Sequence, residues 1–185
     1  MNTPNRLTLL RMLLIPAYVV LIYIPYEHGI LIANIVFIIA SATDALDGYI
    51  ARRNGLVTDF GKLMDPLADK LLVMAAMVVL VDIGFAPAWA VITILAREFL
   101  VNLIRQMAAA KGTVIAADNL GKLKTISQMT WLTVGMAYIW ADMSLPNNLD
   151  WLGLVCTGLC YLTVGLTVLS GANYTVKNKD LFSMK

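Results

Sequence analysis

Charged residues are scarce in this chain, and that scarcity excludes most classes of soluble protein. Asp, Glu, Lys and Arg make up 14% of the 185 residues, against about 25% in typical soluble domains. Hydrophobic residues make up 59%, and the mean hydropathy of +0.75 is far too high for a water-soluble globule of this length. We therefore expect an integral membrane protein with no nucleic-acid partner.

Cysteine and histidine are also scarce, which argues against a disulfide framework or a site built from these two residue types. The two cysteines, Cys156 and Cys160, lie one helical turn apart in an apolar run. That spacing favours packing over a disulfide or a metal site. The single histidine, His28, falls in a short polar connection, and we assign it no catalytic role.

The N-terminal apolar run lacks a small-residue cleavage site after it, so we expect it to be retained as a helix. Residues 2–8 before it are typical of a short interfacial segment, with Pro4 at a first helical position. Each apolar run is near the roughly 20 residues that cross a hydrocarbon core. The sequence therefore predicts a single all-α domain, residues 1–185, built as a bundle of six transmembrane helices. The six runs are 8–26, 30–50, 65–81, 87–109, 124–141 and 151–170.

Lysine and arginine are absent from the first, third and fifth connections between these runs. The charged or titratable residues of those connections are acidic apart from the histidine: Glu27, His28, Asp82, Asp142 and Asp150. The basic residues gather at the two termini and in the second and fourth connections. By the positive-inside rule we predict a multi-pass cell-membrane protein whose termini and second connection face the cytoplasm.

Against this apolar background, four aspartates fall within 26 residues around the second connection. Asp44 and Asp47 are three residues apart, and Asp65 and Asp69 are four apart, so each pair shares one face of a helix. Four carboxylates gathered at one point need counter-charge, because like charges raise one another's pKa. Hard divalent cations with oxygen ligands meet that need. The alternative is that these aspartates cap helices or lie solvated near the membrane surface.

The spacing of these residues is similar to the defining motif of the CDP-alcohol phosphotransferases. The matching positions are Asp44, Asp47, Gly48, Ala51, Arg52, Gly61, Asp65 and Asp69. The resemblance implies an integral membrane enzyme that transfers a phosphatidyl group from a CDP-lipid such as CDP-diacylglycerol to an alcohol and releases CMP. It also implies a homodimer and two Mg²⁺ or Mn²⁺ ions in each active site.

The resemblance also implies a role for most motif residues. Asp44, Asp47 and Asp65 would be metal ligands, while Asp69 would be the general base and also touch the second metal ion. The other motif residues would bind the CDP-lipid: Gly48, Ala51, Arg52 and Gly61. Close packing between membrane helices is the alternative reading of the two small residues on the second helix.

Cationic residues near two consecutive helix ends indicate an anionic acceptor. Arg97 and Arg105 lie inside the fourth apolar run, and Lys122 and Lys124 enter the fifth. An ionisable group at such depth is costly and usually faces a cavity or a partner. The alternative for Arg97 is a structural ion pair with the adjacent Glu98 or with an aspartate.

Further matches resemble the branch of the family that uses glycerol 3-phosphate as acceptor. They extend from Asn2 to about Met129 and add Thr8 and Arg11 to the residues expected to bind the acceptor phosphate. Two other functions stay open. One is a family enzyme with another acceptor, such as inositol phosphate, serine or phosphatidylglycerol. The other is a cation transporter whose aspartates line an ion path.

Overall fold

The computed structural model describes the backbone of residues 3–26, 28–53, 59–113, 115, 118–146 and 149–179. Within those ranges, the side chains of 3–8, 44–53, 59–63, 65, 66 and 69 lie outside the description. The regular structure of the described ranges is entirely α-helical, as the sequence predicts. The helices are α1 Thr3–Tyr23, α2 Gly29–Arg53, α3 Asp59–Asp82, α4 Ala88–Ala110, α5 Asn119–Ser144 and α6 Asp150–Lys177.

The N-terminal segment is helical and continuous with the first apolar run, since α1 runs without a break from Thr3 to Tyr23. Pro4 falls in the first turn, as the sequence predicts, where its missing N–H has no partner to lose. The position of this segment at a membrane interface stays a prediction.

Large apolar side chains form the centre of the bundle. Tyr18 of α1, Phe37 of α2 and Trp131 of α5 are buried there. Helix α5 packs against α2 and α6, while α1 packs against α2 and α3. Cys156 and Cys160 are buried as free thiols, which confirms that they pack.

The outer surface is also apolar, since Leu13, Ile92 and Leu154 are more than half exposed. Among the described residues, one helix, Asp150–Lys177, is long and apolar enough by itself to cross a membrane. Shorter apolar segments lie in α1 and α2, at Leu9–Tyr23 and Gly29–Thr43. Helices α3 and α4 carry charged residues, and α5 carries uncharged polar residues such as Ser127 and Gln128 in its middle, which lowers their hydropathy. The six helices are thus present, while six membrane crossings stay a prediction.

Candidate active site

The four motif aspartates lie on two helices that contact each other. The backbone is helical at Asp44 and Asp47 in α2 and at Asp65 and Asp69 in α3. Their side chains lie outside the described part of the structure. Among the side chains that are described, no group of three or more His, Cys, Asp or Glu is placed to hold a metal ion.

The donor set at these four positions fits a hard divalent cation. The helical backbone confirms that spacings of three and four put each pair of aspartates on one helix face. Carboxylate oxygens are the ligands that Mg²⁺ and Mn²⁺ prefer. The other members of the motif, together with Thr8, also have side chains outside the description: Gly48, Ala51, Arg52 and Gly61.

A polar cavity of about 480 Å³ lies among α3, α4, α5 and α6. Its wall includes Lys70, the residue that directly follows Asp69 in α3. Three of the predicted acceptor-phosphate residues, Arg97, Arg105 and Lys122, line this same cavity. The structure therefore brings together side chains that are up to 104 positions apart in the chain, from Lys70 to Tyr174.

Among the described residues that line the cavity, cationic charge exceeds acidic charge. Four of them are cationic, and two, Glu98 and Asp118, are acidic. Each of these two acids has a lysine partner outside the lining. Lys124 Nζ donates to Glu98 Oε1, and Lys177 Nζ lies 3.6 Å from Asp118 Oδ1. Because both acids are already paired, the described part of the wall carries a net positive charge.

The side chain of Arg97 makes hydrogen bonds to two residues and retains further N–H donors. Its Nη1 donates to Glu98 Oε1 at 3.4 Å, and its Nη2 donates to the hydroxyl oxygen of Ser170 in α6. Its Nε is buried and has no partner among the residues that the structure describes. A guanidinium has five N–H donors, so the ion pair with Glu98 does not use up its capacity. The structural ion pair and an anion site are thus compatible.

Lys124 is not among the residues that line the cavity, in contrast to Arg97, Arg105 and Lys122. Its side chain is 0% exposed, and its Nζ donates to Glu98 and, at 2.5 Å, to Gln128 Oε1. Gln128 in turn donates to the sulfur of Met77 at 3.3 Å. Lys124 therefore lies behind the wall of the cavity, where it neutralises Glu98.

Arg105 is held at the other end of the cavity. Its Nε donates to the hydroxyl of Tyr174 at 3.2 Å, and its guanidinium carbon lies 5.7 Å from the centre of the Tyr174 ring. Such a contact between a cation and an aromatic face adds to the hydrogen bond. Helix α6 therefore contacts both arginines of the cavity.

Arg11 lies elsewhere in the fold. It is buried on α1, and its Nε donates to the carbonyl oxygen of Ala40 in α2 at 3.3 Å. It is not among the described residues that line the polar cavity. The structure thus groups Arg11 with α2, the helix that carries the first two motif aspartates.

Sequence reasoning missed several residues of this site. Lys70 directly follows a motif aspartate, and that position could have identified it as a site residue. The sequence gives no such indication for three others, Asp118, Ser170 and Tyr174. Each lies in or beside an apolar run and belongs to no motif that we recognised. Their roles depend on how α6 packs against α4 and α5.

A second cavity, of about 230 Å³, adjoins the polar one. The two share part of their lining: Lys70, Glu98, Asn102 and Thr125. The rest of the smaller cavity is mostly apolar, with Val73, Met77 and Phe99 in its wall. The region beside Lys70 and Glu98 therefore changes from polar to apolar over a short distance.

Comparison with known proteins matches residues 1–169 to the family model described as CDP-alcohol phosphatidyltransferase. The CDP-diacylglycerol–glycerol-3-phosphate 3-phosphatidyltransferase of Bacillus subtilis is 42% identical, over 96% of this chain and 95% of that protein. The protein of the same name from Rickettsia bellii is 35% identical over 98% and 97%. A chloroplastic and mitochondrial relative from Arabidopsis thaliana is 36% identical over 96% of this chain and 62% of its own length. The similarity extends well past Met129, so the shorter extent inferred from the sequence was wrong.

Proposed function

Because the chain belongs to the CDP-alcohol phosphatidyltransferase family, we propose that it transfers the phosphatidyl group of CDP-diacylglycerol to glycerol 3-phosphate. The products are phosphatidylglycerophosphate and CMP. The observation that carries the choice of acceptor is the polar cavity, whose described lining holds four cations and only two acids, both already paired with lysines. A neutral acceptor does not require that excess, whereas a phosphate group does.

The chain's own residues divide the work of the reaction. Arg97, Arg105 and Lys122 hold the phosphate of the acceptor and so orient its hydroxyl. Asp69, adjacent in sequence to the cavity residue Lys70, takes the proton as that hydroxyl attacks the β-phosphorus of the CDP-lipid. The new bond joins the acceptor oxygen to the β-phosphorus, and the bond from the β-phosphorus to the bridging oxygen breaks. CMP leaves with that oxygen.

Two divalent cations belong to this proposal. Asp44, Asp47, Asp65 and Asp69 would hold them, and when bound they supply positive charge that neutralises the diphosphate of the lipid substrate. The remaining motif residues would bind the CDP-lipid. Gly48 and Ala51 leave room for the nucleotide to approach α2, Gly61 belongs to the same site, and Arg52 contacts the diphosphate.

The acceptor is tested by following CMP release from the purified protein supplied with CDP-diacylglycerol and Mg²⁺. Separate reactions receive glycerol 3-phosphate, inositol phosphate, serine or phosphatidylglycerol. We expect CMP release that depends on glycerol 3-phosphate. Release with another acceptor only would assign a different branch of the family, and absence of release with every acceptor would favour the cation transporter.

Measuring the Arg97→Gln variant in the same assay tests whether the cavity binds the phosphate of the acceptor. We expect the KM for glycerol 3-phosphate to rise about 10- to 100-fold, since a charge-assisted hydrogen bond contributes roughly 1.5–3 kcal/mol. The KM for CDP-diacylglycerol should change little, because only the acceptor anion loses its partner. Equal increases in both KM values would contradict a specific contact with the acceptor.

The proposal includes six membrane crossings with the aspartates and the polar cavity on the cytoplasmic side. The exposed apolar side chains of all six helices support the crossings, and the distribution of lysine and arginine between the connections supports the orientation. In spheroplasts, an impermeant maleimide should label Met143→Cys, at the outer end of α5, before permeabilisation and Thr113→Cys only after it. The unmodified chain gives the background, because its two cysteines are buried. Labelling of Thr113→Cys before permeabilisation would indicate the opposite orientation.

A further inference from the structure

The inner face of α6 is built from polar and small residues although the helix is the most apolar of the fold. These residues are buried and recur at the spacing of one helix face: Thr163, Thr167, Ser170, Gly171 and Tyr174. The face packs against α4 and α5. A buried polar group is costly without a partner, so the partners of this face indicate what it is for.

Ser170 and Gly171 fix the position of Arg97. The Ser170 hydroxyl accepts from Nη2 of Arg97. A Cβ atom at Gly171 would lie 3.0 Å from Cγ of Arg97, and one at Gly121 of α5 would lie 3.3 Å from its Nη2. A side chain at Gly171 would therefore require the stem of Arg97 to shift by a few tenths of an ångström. The absence of side chains at both glycines leaves room for the arginine in its present position.

The next turn of α6 holds the second arginine. Tyr174 accepts a hydrogen bond from Arg105 and also lies under its guanidinium. One residue before it, Asn173 Nδ2 donates to Asp118 Oδ2 at 2.5 Å. Consecutive turns of one helix thus fix two cations and one acid of the cavity wall.

We propose that the C-terminal end of α6 sets the affinity for the acceptor phosphate by positioning Arg97 and Arg105. Ser170, Gly171 and Tyr174 are the positioning residues. An arginine that is already held in place loses less side-chain freedom when it binds an anion, so binding is tighter. This inference rests on the proposed function, and its three residues lie beyond the segment matched by the family model, which ends at 169.

Three substitutions test it in the CMP-release assay with glycerol 3-phosphate. Ser170→Ala and Tyr174→Phe each remove one hydrogen bond to an arginine, and we expect the KM for glycerol 3-phosphate to rise about 3- to 10-fold. Gly171→Ala displaces the stem of Arg97, and about a 10-fold rise is expected. In all three variants the KM for CDP-diacylglycerol and the thermal midpoint in detergent should stay close to the unmodified values.

Gly165→Ala is the matched control on the same helix, because a Cβ atom at Gly165 would meet nothing within 4 Å beyond the helix's own backbone. Its KM values should be unchanged.

In an Arg97→Gln background, Ser170→Ala and Gly171→Ala should add no further rise in KM, since their effect passes through the arginine. The inference is overturned if the three variants leave the KM for glycerol 3-phosphate unchanged while Arg97→Gln still raises it. It is also overturned if the effects of Ser170→Ala and Gly171→Ala persist in full in the Arg97→Gln background. Loss of both the Arg97→Gln effect and the acceptor dependence would instead reject the proposed function.

Discussion

Replacing Asp69 with asparagine is expected to lower turnover by about 10²- to 10⁴-fold, the usual contribution of a general base. The amide keeps the shape of the carboxylate but cannot accept the proton of the attacking hydroxyl. Binding of CDP-diacylglycerol should change little, because Asp44, Asp47 and Asp65 remain to hold the metal ions that neutralise its diphosphate. The measurement is the rate of CMP release at saturating substrates, together with the KM for the lipid.

Two further substitutions make this result specific. Asp65→Asn should weaken metal binding, so its activity should recover in part as Mg²⁺ is raised, whereas Asp69→Asn should not recover. Asp142→Asn makes the same chemical change at an exposed position near the end of α5 and should leave turnover unchanged. Near-normal turnover of Asp69→Asn would show that another group takes the proton.

The helices were predictable because the physical signal is local. Six apolar runs separated by polar connections gave six helices whose ends differ from the runs by a few residues, as α4 shows with Ala88–Ala110 against 87–109. The largest differences lie at the start of α3 and at the end of α6, where the helix includes residues outside the predicted apolar run. A helix does not have to end where its apolar run does, since hydrogen bonding within the backbone continues through polar side chains.

The wall of the polar cavity was predictable only in part. Arg97 and Arg105 stood out because charge inside an apolar run is costly and therefore needs a purpose. The pairing of Lys124 with Glu98 and of Lys177 with Asp118 depends on contacts between different helices. A single sequence does not contain those contacts. Ser170 and Gly171 carry no charge, so their contact with Arg97 became visible only when α6 was placed against α4.

The buried lysine leads to a large expected effect on stability. Lys124 is 0% exposed, and its charge is balanced by Glu98. In Glu98→Gln the ammonium group keeps, among its described hydrogen-bond partners, only the neutral Gln128. Removing one partner of a buried pair costs about 3–5 kcal/mol, because the remaining charge is left without compensation. We therefore expect Glu98→Gln to lower the thermal midpoint strongly and to reduce the yield of folded protein.

The reverse substitution should be milder, and this asymmetry identifies the cause. In Lys124→Met, Glu98 keeps Arg97 at 3.4 Å and is itself 26% exposed, so its charge remains compensated. The double variant Glu98→Gln with Lys124→Met leaves no buried ammonium group and should recover most of the stability lost in Glu98→Gln alone. Thermal midpoints of the three variants in detergent measure these differences. If the double variant were as unstable as Glu98→Gln, the loss would come from Glu98 packing and not from an uncompensated Lys124. The KM for glycerol 3-phosphate tests the position of Lys124. A stable double variant with a KM near the unmodified value would place Lys124 behind the site. A steep rise in that KM with Lys124→Met alone would make it a phosphate ligand.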